Sequence, residues 1–177
     1  MSYEEILKQL QTEGNPVPCA RFRFRIPDAR TELKNALVTV LSAMGERLVW
    51  LPEYDKVAAW LSDNNGKGLL LFGNCGRGKS LITRYAIPML LCKFANRIVT
   101  VVDCGAQDVC IDEVLKRKFI ALDDIGVEVD RVEFGTRRNV VVEIVNKVQD
   151  NPDRMVIASS NLSGEGIKER YGDRIYD

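Results

Sequence analysis

Two hydrophobic rhythms divide the chain. Up to about residue 62 apolar residues recur at helical spacing; from residue 68 short apolar runs alternate with helical stretches. In the first part, Tyr3 to about Gln11 predicts a helix, stopped by Gly14-Asn15-Pro16. Pro16 and Pro18 keep the next stretch extended. Arg21 to Ile26 then alternates perfectly. As a strand it places Phe22, Phe24 and Ile26 on one face and Arg21, Arg23 and Arg25 on the other. Such a strand either buries its phenylalanines and solvates its arginines, or lays a basic and aromatic surface along a nucleic acid. Leu33, Leu37, Val40, Leu41 and Met44 predict an amphipathic helix. Pro52 opens another, with Tyr54, Val57, Ala58 and Leu61 on one face, and Asp63 to Gly66 turns the chain.

In the second part, Gly68 to Phe72 reads as a strand buried on both faces. A helix is expected from Gly78 to about Ala95, kinked at Pro88. Further strands are expected at Arg97 to Asp103, Lys118 to Asp123 and Arg154 to Ser159. Between them lie a short helix from Ala106 to Leu115 and one marked by Val141, Ile144, Val145 and Val148. Helical sequence resumes near Ser163. Strands alternating with helices predict an α/β fold, a parallel sheet covered by helices on both faces. Residues 1–52 form a mainly helical leader to it, and residues 53–177 the core.

Composition narrows the chemistry. Of 177 residues 46% are hydrophobic and 28% charged, which is globular. Lys plus Arg and Asp plus Glu are both 25, so net charge does not by itself announce a nucleic-acid or membrane partner. The histidine count of 0 excludes a Ser-His-Asp triad, a Cys-His dyad and His-ligated zinc. The 5 cysteines form no C-x-x-C pair, and an odd number is a poor disulfide framework. The acidic start lacks a signal peptide's basic flank, and no apolar stretch approaches the ~20 residues of a membrane span. A cytoplasmic protein with reduced thiols, not associated with a membrane, is expected.

Gly73-Asn74-Cys75-Gly76-Arg77-Gly78-Lys79-Ser80 fits G-x-x-x-x-G-K-[ST], after an expected strand and before an expected helix. Glycines let the backbone fold tightly around an anion, and successive amides form a nest. Lys79 supplies a point charge for outer phosphates, and Ser80 a hydroxyl for Mg²⁺. Cys75, inside this loop, is either an activated thiol or simply a small residue that fits.

Phe119-Ile120-Ala121-Leu122 runs into Asp123-Asp124 at a carboxyl strand end, where parallel sheets place ligands. Asp123 suits the metal, through water, as the partner of Ser80, and Asp124 suits an attacking water. Asn161 ends another strand, either orienting a water near the outer phosphate or capping a helix, which Ser163 can equally do. Arg174 is a candidate neutraliser of phosphate charge or an ordinary surface arginine.

The segments GLLLFGNCGRGKS, FIALDDIG, VIASSNLS and ERYGDRIYD, in this order and spacing, resemble the DnaC-type helicase loaders and related IstB-type transposition ATPases. Both are AAA+ proteins of the initiator clade, and the resemblance runs from about Val57 to Asp177. It implies a P-loop NTPase core with Gly73, Gly78, Lys79 and Ser80 as Walker A and Asp123 as the Walker B metal ligand. It further implies Asp124 as the catalytic acid, Asn161 as sensor 1, and Arg174 in box VII, which gives an arginine finger to a neighbouring subunit. Most AAA+ proteins carry Glu where Asp124 stands. The family's second box VII arginine, C-terminal strand and lid would fall beyond Asp177, so they are expected to be missing from this chain.

The function implied is an ATP-binding, ATP-hydrolysing helicase loader in DNA replication. It would use Mg²⁺, engage a replicative helicase and single-stranded DNA, and self-associate through the ATP site. The alternative is a transposase-helper ATPase on duplex DNA. A small-molecule kinase is a third reading, for which the arginine-rich lid is not found, and a non-hydrolysing nucleotide-binding module a fourth, against which Lys79 and Asp123 stand.

Overall fold

The computed structural model describes residues 1–15, 19–133, 136–172 and 175. The helices are α1 (Tyr3–Thr12), α2 (Ala29–Ala43), α3 (Glu53–Ser62), α4 (Lys79–Leu81), α5 (Ile87–Ala95), α6 (Ile111–Leu115), α7 (Val140–Gln149) and α8 (Gly164–Tyr171). The strands are β1 (Leu69–Phe72), β2 (Thr100–Asp103), β3 (Phe119–Ile125), β4 (Arg131–Glu133), β5 (Thr136–Arg138) and β6 (Met155–Ser160). The protein is α/β. Its main sheet has the order β1-β6-β3-β2 with every pair parallel, and β4 and β5 form a separate hairpin. No described helix is long and apolar enough to cross a membrane.

Successive side chains of a strand point to opposite faces, so β1, β3 and β6 each feed two cores, while β2 gives Val102 to the second. On one face Phe119, Ala121, Met155 and Ile157 pack with Leu33 and Leu37 of α2, Val57 and Leu61 of α3, and Leu90 and Leu91 of α5. On the other, Ile120, Leu122 and Ala158 pack with Ile111 of α6 and Val141, Ile144 and Val148 of α7. Both faces are covered by helices, as the alternation predicts. The first core is continuous across residues 52 and 53, because Phe24, Ile26 and α2 belong to it. Helix α1 buries no residue; its capping box of Ser2 and Glu5 holds its start.

Four expectations need correction. Residues 21–26 are extended but pair with none of the described strands. Phe22 N–H donates to Pro152 O (2.8 Å), Phe24 N–H to Asn64 Oδ1 (3.0 Å) and Ile26 N–H to Leu61 O (3.0 Å). The alternation survives because burial, not a ladder, drives it: Phe24 and Ile26 are buried, while Arg23 and Arg25 pair with Asp63. The Arg23 guanidinium, the Asn65 N–H and Arg25 hold the Asp63 carboxyl well below the usual carboxylate range. Strand β1 is only half-buried because it lies at the sheet edge. The break near Pro88 is a π turn at Ile82–Ala86, in which Ile87 N–H reaches Ile82 O. A wider turn ahead of the proline relieves the clash between its ring and the preceding carbonyls. Helix α6 starts only at Ile111, and the β4–β5 hairpin has no counterpart in the expectations.

Asn64 is the buried polar pin of this arrangement, 1% exposed. Its side chain accepts from Phe24 N–H (3.0 Å) and donates to Phe22 O (3.2 Å) and Lys67 O (3.1 Å). Asn64→Ala leaves buried backbone groups unpaired, so a loss of about 1–3 kcal/mol is expected. Urea unfolding checks this, as a lower midpoint with an unchanged slope.

Candidate functional site

All four strands of the main sheet end on the same side, and the predicted site residues other than Arg174 gather there. Residues 73–78 leave β1, and Lys79 opens the helical run that continues to Ala95. Gly73, Gly76 and Gly78 have φ of 126°, 80° and 73°, a region side-chain-bearing residues avoid. At Gly78 a Cβ would also stand 2.4 Å from the Tyr54 hydroxyl. That hydroxyl donates to Arg77 O (3.3 Å), so α3 braces the loop from beneath. The Arg77 side chain turns away and pairs with Glu53 of α3. Asn74, Cys75, Gly76 and Ser80 are exposed.

The Lys79 ammonium donates to Gly73 O (2.8 Å), Asn74 O (2.9 Å) and Asn161 Oδ1 (2.8 Å). Through its other amide atom, Asn161 Nδ2 donates to Asp124 Oδ1 (2.8 Å). One asparagine therefore links the lysine of the loop to the second aspartate. The cap of α8 is Ser163, which accepts from Gly166 N–H, so Asn161 is free of that duty.

The two aspartates are separated by backbone geometry. The β3–β6 register shifts between Leu122 and Ile125, and Asp124 sits at φ 60°, in the left-handed region. Such backbone costs on the order of 1 kcal/mol or more in a residue with a side chain and persists where its surroundings hold it. Ser159 is the holder: its hydroxyl donates to Asp123 Oδ1 (2.5 Å) and accepts from Asp124 N–H (3.0 Å). Asp123 is buried, at 5% exposure, and Asp124 is half-buried. Arg84 of the π turn completes the charge balance: its Nε stands 3.2 Å from Asp123 Oδ2, and its Nη2 donates to Asp103 Oδ2 (2.7 Å).

Sequence reasoning missed Ser159, Arg84, Asp103 and Tyr54 as parts of this site. Ser159 and Asp103 had a signal, being polar residues at the ends of apolar strands. Arg84 had a weaker one, four places after Ser80. Glu128 was also missed. It is 4% exposed and accepts from Gly126 N–H (2.7 Å) and the Tyr171 hydroxyl (2.5 Å), tying the loop after β3 to α8. Burial and that hydrogen bond push the Tyr171 hydroxyl up. Arg174 lies outside the described residues.

The described residues contain no cluster of three or more His, Cys, Asp or Glu that could hold a metal. What the site offers is a hydroxyl at Ser80 and a carboxylate at Asp123, hard oxygen donors too few to complete a coordination shell alone. That donor set fits Mg²⁺ brought with phosphate oxygens and water. No protein-family model matches the chain, and no curated protein matches it.

Burial pushes the buried Cys104 thiol up, and Glu128, Asp103, Asp123 and Asp124 reinforce the shift. Cys19, Cys75, Cys92 and Cys110 are exposed. A thiol-disulfide reagent at neutral pH should label those four quickly, and Cys104 only after unfolding. Peptide mapping of the labelled protein checks this.

Proposed function

We propose that the chain binds ATP·Mg²⁺ at residues 73–80 and hydrolyses it, as a P-loop ATPase of the AAA+ type. The observation that carries this reading is Asn161 spanning Lys79 and Asp124. It couples a lysine at a glycine-rich strand-to-helix loop to a carboxylate held apart from its neighbour. Successive backbone amides of a glycine-rich loop suit phosphate oxygens, and Lys79 suits the outer phosphates once it exchanges its carbonyl partners for them. Ser80 and Asp123 would hold the metal, which when bound neutralises charge on the phosphate oxygens.

Asp124 then orients a water for attack on the γ-phosphorus and takes its proton as the bond to the bridging oxygen breaks and ADP leaves. Asn161 keeps that carboxylate aimed while reporting on Lys79. The backbone at Asp124 suits this task, since residue and strand end are fixed before any ligand arrives.

By resemblance, the work coupled to this ATPase is helicase loading on single-stranded DNA. Turnover measured without DNA, with single strands and with duplex separates that reading from a transposase helper. Stimulation by single strands supports the loader, and stimulation by duplex alone the helper.

Lys79→Ala should remove a charge-assisted contact worth roughly 1.5–3 kcal/mol, lowering ATP affinity about tenfold to a hundredfold in calorimetry. Asp124→Asn keeps a residue type that tolerates the left-handed region, so ATP binding should survive while hydrolysis is lost. Unchanged affinity in the first variant, or unchanged turnover in the second, overturns the assignment.

A further inference from the structure

Among the described residues, the cation that faces Asp123 is Arg84 and not Lys79. Asp103 and Asp123 are register partners at the ends of the adjacent parallel strands β2 and β3, so two carboxylates stand side by side. Arg84 reaches both at once, with Nη2 on Asp103 Oδ2 (2.7 Å) and Nε 3.2 Å from Asp123 Oδ2. The other Asp123 oxygen takes the Ser159 hydroxyl (2.5 Å), so each oxygen of this buried carboxylate has a partner. The two ends of the arginine sit in different surroundings. The side chain of Asp123 is 6% exposed, and that of Asp103 is 50% exposed. Asp103 is itself held by Gly105 N–H on Oδ1 (3.0 Å), so it is a fixed, wet anchor beside a dry one.

Arg84 lies four residues after Ser80, in the π turn of the same helical run. A π turn re-aims the side chains it carries relative to a regular helix, and here it turns an arginine onto the strand ends. The guanidinium is permanently charged and cannot make way for a dication by losing a proton. It can only move. The Asp103 carboxylate, already bonded to it, is the place to move to.

We propose that Arg84 is a built-in counter-ion of Asp123 that competes with Mg²⁺. It holds the buried carboxylate paired until the metal arrives with nucleotide, then transfers wholly to Asp103, so that the pair sets the Mg²⁺ concentration at which the site loads. Arg84 is a positioning residue that acts through Asp123, and the inference rests on the Mg²⁺–nucleotide reading of the site. A switch of this kind makes nucleotide binding respond to free Mg²⁺ rather than to nucleotide alone, and it keeps two neighbouring carboxylates from repelling one another in the meantime.

The test is a Mg²⁺ titration of the full chain with a fluorescent ATP analogue, reading the midpoint for metal and, separately, the thermal unfolding midpoint with and without Mg²⁺. Arg84→Gln should move the metal midpoint to roughly tenfold lower Mg²⁺, the effect of removing one like charge a few ångströms away. It should also destabilise the metal-free chain more than the Mg²⁺–nucleotide form. Arg84→Lys should restore most of the wild-type midpoint. Asp103→Asn, at a half-exposed position, should move the midpoint the other way, toward higher Mg²⁺, because the arginine then has nowhere else to go.

Equal destabilisation in both forms with an unmoved metal midpoint would reduce Arg84 to a structural brace and overturn the proposal. So would an Asp103→Asn midpoint that fails to rise. Wild-type chain that binds the analogue without any dependence on Mg²⁺ would overturn the metal reading itself, a result distinct from normal Mg²⁺ dependence that the variants leave unchanged.

Discussion

Parallel pairing of all four main-sheet strands is the constraint from which the rest follows. Parallel strands need crossovers that return the chain to the same starting edge, so every strand ends on the same side. Gly73, Asp103, Asp123 and Asn161 come from four separate parts of the chain and meet only because of this. An antiparallel version of the same strands would split them between two edges. The burial of strand residues on both faces makes the arrangement stable, since β1, β3 and β6 contribute both to the core with α2, α3 and α5 and to the core with α6 and α7.

Within that edge the chemistry is set by charge balance. Arg84 answers the neighbouring carboxylates of Asp103 and Asp123 directly, and Lys79 is linked to Asp124 through Asn161. A buried carboxylate without a partner is costly, so Asp123 can be buried only because Ser159 and Arg84 take its two oxygens. The left-handed backbone at Asp124 belongs to the same solution. It breaks the register with β6 after Leu122 and lets one serine hydroxyl serve both aspartates. The two acids thereby acquire different surroundings despite being adjacent in sequence.

Helix α2 is tied to this edge through Trp50 and Tyr54. Arg30 of α2 lies over the Trp50 ring at 4.9 Å, Trp50 packs edge-on against Tyr54 at 5.4 Å, and Tyr54 donates to the loop carbonyl of Arg77. Contacts therefore run unbroken from α2 through Trp50 and Tyr54 to the glycine-rich loop. Helix α1, by contrast, leaves Tyr3, Ile6, Leu7 and Leu10 exposed.

Local rules decided much of this from the sequence alone. Helical spacing located α2, α3 and α7, continuous apolar runs located the four main strands, and the spacing of glycines with Lys79 and Ser80 located the loop. These signals are local because a turn, a strand or a helix face is set by residues close together in the chain. Tertiary structure decided what depends on residues far apart. Residues 21–26 look like a strand, but their backbone N–H groups donate to Pro152, Asn64 and Leu61, none of them in a strand. Leu69 to Leu71 look fully buried but stand at an edge, because strand order is not encoded in the strand. The partners of the site residues are of the same kind. That Arg84 would face Asp123 and Asp103, that Ser159 would bond both aspartates, and that Arg77 would turn to Glu53 depend on a π turn, a register shift and a helix placement. Those features arise from packing between distant segments, which is where side-chain partners are chosen.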